Sequence, residues 1–174
     1  MNSAVCLFLL ACLLTGTQCR PGGAPDSACD LVGPNAIAHG ADPQDSIAPY
    51  VLTGLPRSGS YTPGMSYRVT FRGNVSEMFQ GFLVVAMNTA LERVGSFTSG
   101  GDDSKTTCSD MRAITHTGAT NKTFVSFTWT APPEGAGQVV FRYSVAQTQT
   151  MYWSNQFSTT VSYTHLTLPT ICSV

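Results

Sequence analysis

Short runs in which apolar and polar residues alternate constrain the fold of this chain more than any other feature. In SYRVTFRG (66–73), Tyr67, Val69 and Phe71 share one side of an extended chain, and polar residues occupy the other side. A period of two is typical of a β-strand with one buried and one wet face, because successive side chains of a strand point to opposite sides. No stretch sustains the apolar period of 3.6 residues that an amphipathic helix would show.

Several such runs follow one another, separated by turn signals such as the Pro-Gly pair of YTPG (61–64), which suits a type II turn. One run, FQGFLVVAMN (79–88), is apolar on both sides, so we expect it to lie centrally in a sheet that is covered on both faces. Short strands at this spacing predict an all-β fold, a two-sheet antiparallel β-sandwich. Its candidate core anchors are Phe127, Trp129 and Phe141, each contributing about 2–3 kcal/mol if fully buried.

The first 19 residues have the pattern of a secretory signal peptide. The apolar run from Ala4 to Leu14 fits the centre of a signal but is too short to span a bilayer. A Pro/Gly-rich segment follows at once, where a buried helix would continue with polar periodic residues. We therefore predict that residues 1–19 are a signal peptide, that the mature chain begins at Arg20, and that the protein is secreted and extracellular.

The composition excludes one large class of partners. Only 11% of the residues are charged and the formal net charge is −1, so no basic face is available to attract nucleic acid. Abundant Gly and Pro with little charge fit a small extracellular β-module better than a cytosolic helical protein.

The cysteines predict one disulfide. Three of the six cysteines leave with the signal peptide, and three remain: Cys29, Cys108 and Cys172. We predict a bond between Cys29 and Cys108, because a secreted domain passes through an oxidising compartment and Cys172 lies in a segment of doubtful origin. The two positions are 79 residues apart, and closing such a loop contributes about 4 kcal/mol on the chain-entropy estimate.

The C-terminal segment, residues 161–174, departs from the pattern that precedes it. Its first ten residues, VSYTHLTLPT, resemble what a transposase-based sequencing adapter encodes in one reading frame. We therefore predict that residues 161–174 are not native and that the folded domain occupies residues 20–160. A contact with a membrane is expected only if the native chain continues beyond Thr159.

Few residues are candidates for sites. Asn74 in NVS and Asn121 in NKT are acceptors for N-glycosylation, both in expected turns. His39 and His116 lack the spacing of metal ligands, so we expect structural hydrogen bonding from them. No nucleophile elbow and no phosphate-binding loop is present. The sequence thus predicts no catalytic residue, no metal and no cofactor.

The order and spacing of several motifs resemble a Reeler domain, the module named for the N-terminus of reelin. The matching segments are GAPDSAC, YTPG, FQGFLVVA, AITHT, FVSFTWTAP, GQVVFRYSVAQ and MYW. The similarity covers residues 21–159. It implies an immunoglobulin-like β-sandwich and an extracellular binding or adhesion role, with no catalytic activity in the domain itself.

Three functions are compatible with this resemblance. Reeler domains occur alone in small secreted defence proteins of invertebrates, so the first hypothesis is innate-immune, antimicrobial recognition of microbial surface glycans. They also form the N-terminal domain of ferric-chelate reductases. The alternative hypothesis is that the chain is the N-terminal ectodomain fragment of such a membrane protein. A third hypothesis is a spondin-like adhesion module that binds extracellular-matrix components.

Overall fold

The computed structural model describes residues 22–30, 32–34, 36–55, 60–74, 76–158 and the backbone of 162–163. The predicted signal peptide, residues 1–19, lies outside the described residues. Among the described residues, no helix has the length and apolar character that crossing a bilayer requires.

Strands dominate the described chain, and only two short helical turns precede them: a 3₁₀ turn at Asp26–Ala28 and α1 at Ala36–His39. The strands are β1 (Tyr50–Thr53), β2 (Ser60–Tyr61), β3 (Ser66–Gly73), β4 (Gly81–Asn88), β5 (Ser96–Ser99), β6 (Ser104–Thr107), β7 (Ala113–His116), β8 (Phe124–Thr130), β9 (Val139–Ala146), β10 (Tyr152–Phe157) and β11 (Ser162–Tyr163).

Two antiparallel sheets pack face to face. The four-stranded sheet has the order β1-β3-β8-β5, and the five-stranded sheet has the order β10-β9-β4-β7-β6. Long uninterrupted registers run through both, from Ser66–Thr130 to Arg72–Phe124 between β3 and β8, and over the whole of β4 against β9. The predicted immunoglobulin-like antiparallel β-sandwich is confirmed.

A tight turn joins β2 to β3, as the Pro-Gly pair indicated. The Met65 N–H donates to the Thr62 carbonyl at 3.2 Å. Gly64, at the third position of this turn, has φ +70°, a left-handed conformation that side chains rarely adopt. The turn lets the chain reverse before the long pairing of β3.

The main core lies between the two sheets and is rich in aromatic rings. Phe127 and Trp129 project from β8 and Phe141 from β9, and each is 0% exposed. The rings of Trp129 and Phe141 meet edge to face with their centroids 5.1 Å apart. The Trp129 indole N–H also donates to the Val94 carbonyl at 3.2 Å, so burial of this side chain leaves no polar atom unpaired.

Strand β4 is buried on both sides. Phe82, Val84 and Ala86 join the core between the sheets. Leu83 and Val85 face the opposite way, into a smaller apolar cluster under the segment of residues 22–40. β4 is also the middle strand of its sheet. The expectation of a central strand covered on both faces is confirmed.

The segment predicted to be foreign, residues 161–174, is described only by the backbone of 162–163. These two residues form β11, which pairs in parallel with β2. The assignment of residues 161–174 to an adapter stays a prediction.

Strand β8 supplies a matched pair of phenylalanines for testing which face is buried. We expect Phe127→Ala to lower the free energy of unfolding by about 3–5 kcal/mol, because it leaves a cavity in the core. Phe124→Ala should change it by less than about 0.5 kcal/mol, because that side chain is 61% exposed. Urea unfolding followed by tryptophan fluorescence measures both variants. Similar losses of unfolding free energy in the two variants would contradict the burial of Phe127 and the exposure of Phe124.

Buried tyrosine hydroxyls donate hydrogen bonds to backbone carbonyls of neighbouring segments. Tyr50 donates to the Met78 carbonyl at 2.8 Å, and Tyr143 donates to the Tyr50 carbonyl at 2.9 Å. Tyr152 donates to the Ala41 carbonyl at 2.7 Å, which holds the segment before β1 against β10. Burial raises the pKa of Tyr143 and Tyr152 because the phenolate would lose its hydration.

We expect these tyrosines to make the protein sensitive to alkali. Burial, and to a smaller extent the carboxylate of Glu77, raises the pKa of Tyr50 from 10.0 to about 12. The unfolded chain loses this proton first, so the free energy of unfolding should fall as pH rises from 10 to about 12. Tyr50→Phe should show a smaller fall over this range, and should lose about 1 kcal/mol at neutral pH with the hydrogen bond. Urea unfolding at neutral and alkaline pH tests both expectations, and an unchanged alkaline fall in the variant would contradict the first.

Candidate functional site

The segment of residues 22–40 covers part of the outer face of the five-stranded sheet, and a disulfide fixes it there. Cys29, at the end of the 3₁₀ turn, is bonded to Cys108 in the loop after β6, with the two Cα atoms 5.9 Å apart. Both cysteines are buried, beside Val32 and Val85. The predicted disulfide is confirmed.

An arginine beside the disulfide joins three separate parts of the chain. Arg93 Nη1 lies 3.0 Å from the Asp30 carboxylate and 3.4 Å from the Cys29 carbonyl. Arg93 Nη2 lies 3.3 Å from the Asp110 carboxylate. The hydrogen bond to Asp30 is the largest cause that raises the pKa of Arg93, and the charge of Asp110 adds to it. The guanidinium therefore binds the segment of residues 22–40 to the loop that carries Cys108.

Between this segment and the sheet lies a cleft of about 450 Å³. One wall comes from the segment, and the other comes from the start of β4, the end of β9 and the loop after β7. No charged side chain is present among the described residues that line it. They are mainly small or apolar, with a few polar groups: Ala24, Pro25, Ala28, Pro34, Ala38, His39, Gln80, Gly81, Leu83, His116, Ser144, Val145 and Ala146 among them.

His39, at the end of α1, is held from two sides in the wall of the cleft. Its Nδ1 donates to the Gln149 carbonyl at 2.6 Å, and its ring lies 4.6 Å from that of Tyr152. A carbonyl oxygen accepts only, so the proton of the imidazole must be on Nδ1. The residue is 9% exposed. These two contacts therefore fix the orientation of the imidazole ring.

His116, at the end of β7, lies across the start of β4. The Phe82 N–H donates to His116 Nδ1 at 3.2 Å, and the Thr115 hydroxyl lies 3.2 Å from the same atom. A Cβ atom at Gly81 would lie 2.9 Å from the His116 ring, so only glycine leaves room for it.

Both histidines thus make hydrogen bonds within the protein and line the same cleft. Across the part of the chain that the structure describes, no group of three or more His, Cys, Asp or Glu residues is placed to hold a metal ion.

A second candidate surface is the outer face of the four-stranded sheet, which we call the polar face. Alternation along the strands places there mostly hydroxyl-bearing residues and two arginines: Val51, Thr53, Ser66, Arg68, Thr70, Arg72, Ser96, Thr98, Phe124, Ser126, Thr128 and Thr130. Hydroxyls pair across β3 and β8, Ser66 with Thr130 at 2.8 Å and Thr70 with Ser126 at 2.9 Å.

All charged side chains on the polar face are positive. Arg68 and Arg72 are exposed on β3, and the four strands of this sheet contain no acidic residue. Neither arginine forms an ion pair with any residue in the described ranges. Both guanidinium groups are therefore available to an anionic partner.

A buried lysine shapes the loop that carries one of the glycosylation acceptors. Lys122 is 4% exposed, and its Nζ donates to the carbonyls of Gly118 at 2.6 Å, Thr120 at 2.8 Å and Gln80 at 3.2 Å. Burial lowers the pKa of Lys122, and the charge of Asp103 opposes this shift. No signal in the sequence separates this lysine from an exposed one.

Both predicted glycosylation acceptors lie at the same end of the sandwich. Asn74 and Asn121 are exposed, and the Gly73 N–H donates to the Thr123 carbonyl between them at 3.3 Å. The Asn121 side-chain oxygen accepts from Gln80 Nε2 at 3.2 Å. Because Gln80 lines the cleft, a glycan on Asn121 would stand at its mouth. Glycosylation of the two asparagines stays a prediction.

Comparison with known proteins identifies the relatives of this chain. The Reeler domain family model matches residues 27–168, a range that overlaps the first part of the segment 161–174. A protein of Antheraea mylitta with the provisional name defense protein 3 is 35% identical over 140 residues, which cover 79% of this chain and 82% of the relative. A Drosophila melanogaster protein provisionally named ferric-chelate reductase 1 homolog is 28% identical over 143 residues, which cover 78% of this chain and 22% of the relative.

A solved structure has the same fold. The crystal structure of the human F-spondin reeler domain superimposes with a TM-score of 0.61, covering 71% of this chain and 95% of that domain. The two sequences are 21% identical in this comparison, so the similarity concerns the fold alone.

Removing the disulfide should destabilise the protein, by an amount that grows with the logarithm of the length of the loop that it closes. The bond joins positions 79 residues apart, so the double variant Cys29→Ala/Cys108→Ala should lose about 4 kcal/mol of unfolding free energy. Guanidinium unfolding of the oxidised protein and the double variant measures the difference. The single variant Arg93→Gln, which removes the ionic contacts and the hydrogen bond to the Cys29 carbonyl but keeps the disulfide, is the control and should lose about 1 kcal/mol. A double variant as stable as the wild type would contradict the structural role of the bond.

Proposed function

Because this chain belongs to the Reeler domain family, we propose that it is a secreted recognition module of innate defence, which binds microbial surface glycans and catalyses no reaction. The name of its Antheraea mylitta relative supports the defence role. The polar face is the single observation on which the choice of glycans as ligands depends.

The chemistry of the polar face fits a glycan that carries phosphate or carboxylate groups. Arginine presents a planar fork of donors that matches both anions. Serine and threonine hydroxyls donate and accept, as sugar hydroxyls do. Arg68 and Arg72 are four residues apart on one strand, so roughly 13 Å separates their Cα atoms at about 3.3 Å per residue. A polymer with repeated anionic groups would meet both arginines at once.

Two observations support secretion. The sequence predicts a signal peptide at residues 1–19. The disulfide between Cys29 and Cys108 is the kind of bond that persists in oxidising compartments and is rare in the cytosol. Glycosylation at Asn74 and Asn121 would follow from the same route.

One alternative is favoured by a specific observation. The similarity to the ferric-chelate reductase 1 homolog covers 78% of this chain but only 22% of that protein. In this alternative, the chain is the N-terminal ectodomain fragment of a ferric-chelate reductase, and electron transfer belongs to segments that follow it. An adhesion module binding extracellular-matrix components is the third possibility, and the polar face would serve that role with a different glycan.

Binding to whole microbes tests the proposal. We expect the purified protein to be retained by a broad panel of bacteria and fungi. The double variant Arg68→Ser/Arg72→Ser should bind about tenfold more weakly, because two exposed ionic contacts contribute about 0.5–1 kcal/mol each. Binding of the wild type should also weaken as salt is added.

A control of equal charge separates the polar face from overall charge. Lys105→Ser/Arg112→Ser also removes two positive charges, but from β6 and the loop before β7, on the other sheet. This variant should bind as the wild type does. Equal weakening of the two double variants would refute the role of the polar face. No retention on any microbe, together with retention on matrix preparations, would favour the adhesion module.

A further inference from the structure

The cleft between the segment of residues 22–40 and the five-stranded sheet has the properties of a small-molecule site. Its volume of about 450 Å³ falls in the usual range for ligand pockets, about 300–1,000 Å³. Its walls are mainly apolar, with a few polar groups, which is also typical of such sites. At roughly 30 Å³ per water-sized group, it holds about 15 non-hydrogen atoms.

The polar groups in the cleft differ in whether a hydrogen-bonding atom remains available to a ligand. The Ser144 hydroxyl donates to the Val32 carbonyl and accepts from the Asn155 N–H, so it is occupied within the protein. The Gln80 side-chain amide donates to Asn121. His39 differs, because only its Nδ1 is engaged, with the Gln149 carbonyl.

In the neutral form of His39, the second ring nitrogen is therefore a hydrogen-bond acceptor. With the proton on Nδ1, the neutral ring carries a lone pair on Nε2. Nε2 has no hydrogen-bond partner among the described residues. It is not among the unpartnered polar atoms that are fully buried, so part of its surface remains accessible. His39 is 91% buried and is one of the residues that line the cleft.

We propose that this cleft binds an uncharged, largely apolar alcohol of about 10–15 non-hydrogen atoms, whose hydroxyl donates to His39 Nε2 while its hydrocarbon part lies along Ala38, Leu83 and Ala146. The absence of ionised side chains from the described lining excludes a charged ligand, because a charge would lose its hydration there without gaining a partner. This site is separate from the polar face, and its occupancy does not depend on glycan binding.

Isomeric probes test the hydroxyl. 1-Decanol and 1-methoxynonane have the same atoms, but only the alcohol can donate a hydrogen bond. Titration calorimetry with the purified protein should show saturable binding of one 1-decanol per chain. The ether should bind about three- to tenfold more weakly, and decanoate should bind more weakly than the alcohol. Equal affinity for the alcohol and the ether would overturn the role of His39, and no binding of 1-decanol up to its solubility would overturn the site.

Variants locate the site. His39→Asn keeps a donor at the position of Nδ1 but lacks Nε2, so the preference for the alcohol should disappear while the ether binds as before. Ala146→Leu fills the cleft and should weaken both probes more than about tenfold. Ala90→Leu is the matched control, because Ala90 is exposed and outside the cleft.

Thermal unfolding of each variant shows whether it is folded. If His39→Asn does not fold, two results still test the proposal: the preference of the wild type for the alcohol over the ether, and the weaker binding of both probes by Ala146→Leu. Binding that Ala146→Leu leaves unchanged would overturn the proposal.

Discussion

The apolar character of both faces of β4 is the constraint on which the rest of the structure depends. A strand with one apolar face needs one covering layer, and the opposite sheet supplies it. Leu83, Val85 and Met87 present a second apolar row, which would be exposed to water on the outer face of the sheet. The segment of residues 22–40 covers that row, so the sandwich has three layers at this position.

This third layer is too short to hold itself in place by apolar burial. Its regular structure is limited to one 3₁₀ turn and one turn of α-helix, so most of its stability must come from attachment. Its attachments include the disulfide at Cys29, the ionic contacts of Arg93, the hydrogen bond that Ser144 of β9 donates to the segment, and the hydrogen bond from His39 to the loop before β10. The cleft is the space between the segment and the sheet, and most of the side chains that the segment contributes to its wall are small.

The sequence predicted the sandwich but only part of the candidate site. Alternation with a period of two is a local property, so it placed Phe127, Trp129 and Phe141 on buried faces and indicated that β4 is covered twice. It did not show what the cover is, because the covering segment has no periodicity and its position depends on contacts with distant residues. The cleft and the burial of Lys122 were missed for the same physical reason. Each depends on how separate loops meet in space, and neither Arg93 nor Lys122 differs in its local sequence from an ordinary exposed basic residue.

The two sheets differ in what lies on their outer faces, and this difference determines where the domain can diverge. On the five-stranded sheet, a substitution at Leu83 or Val85 disturbs the packing of the covering segment. On the polar face, the side chains of Arg68, Thr98 and Phe124 contact solvent, and their replacement leaves the core intact. Descendants of one ancestral domain can therefore acquire new specificities by point substitution on this face, without any compensating change in the interior.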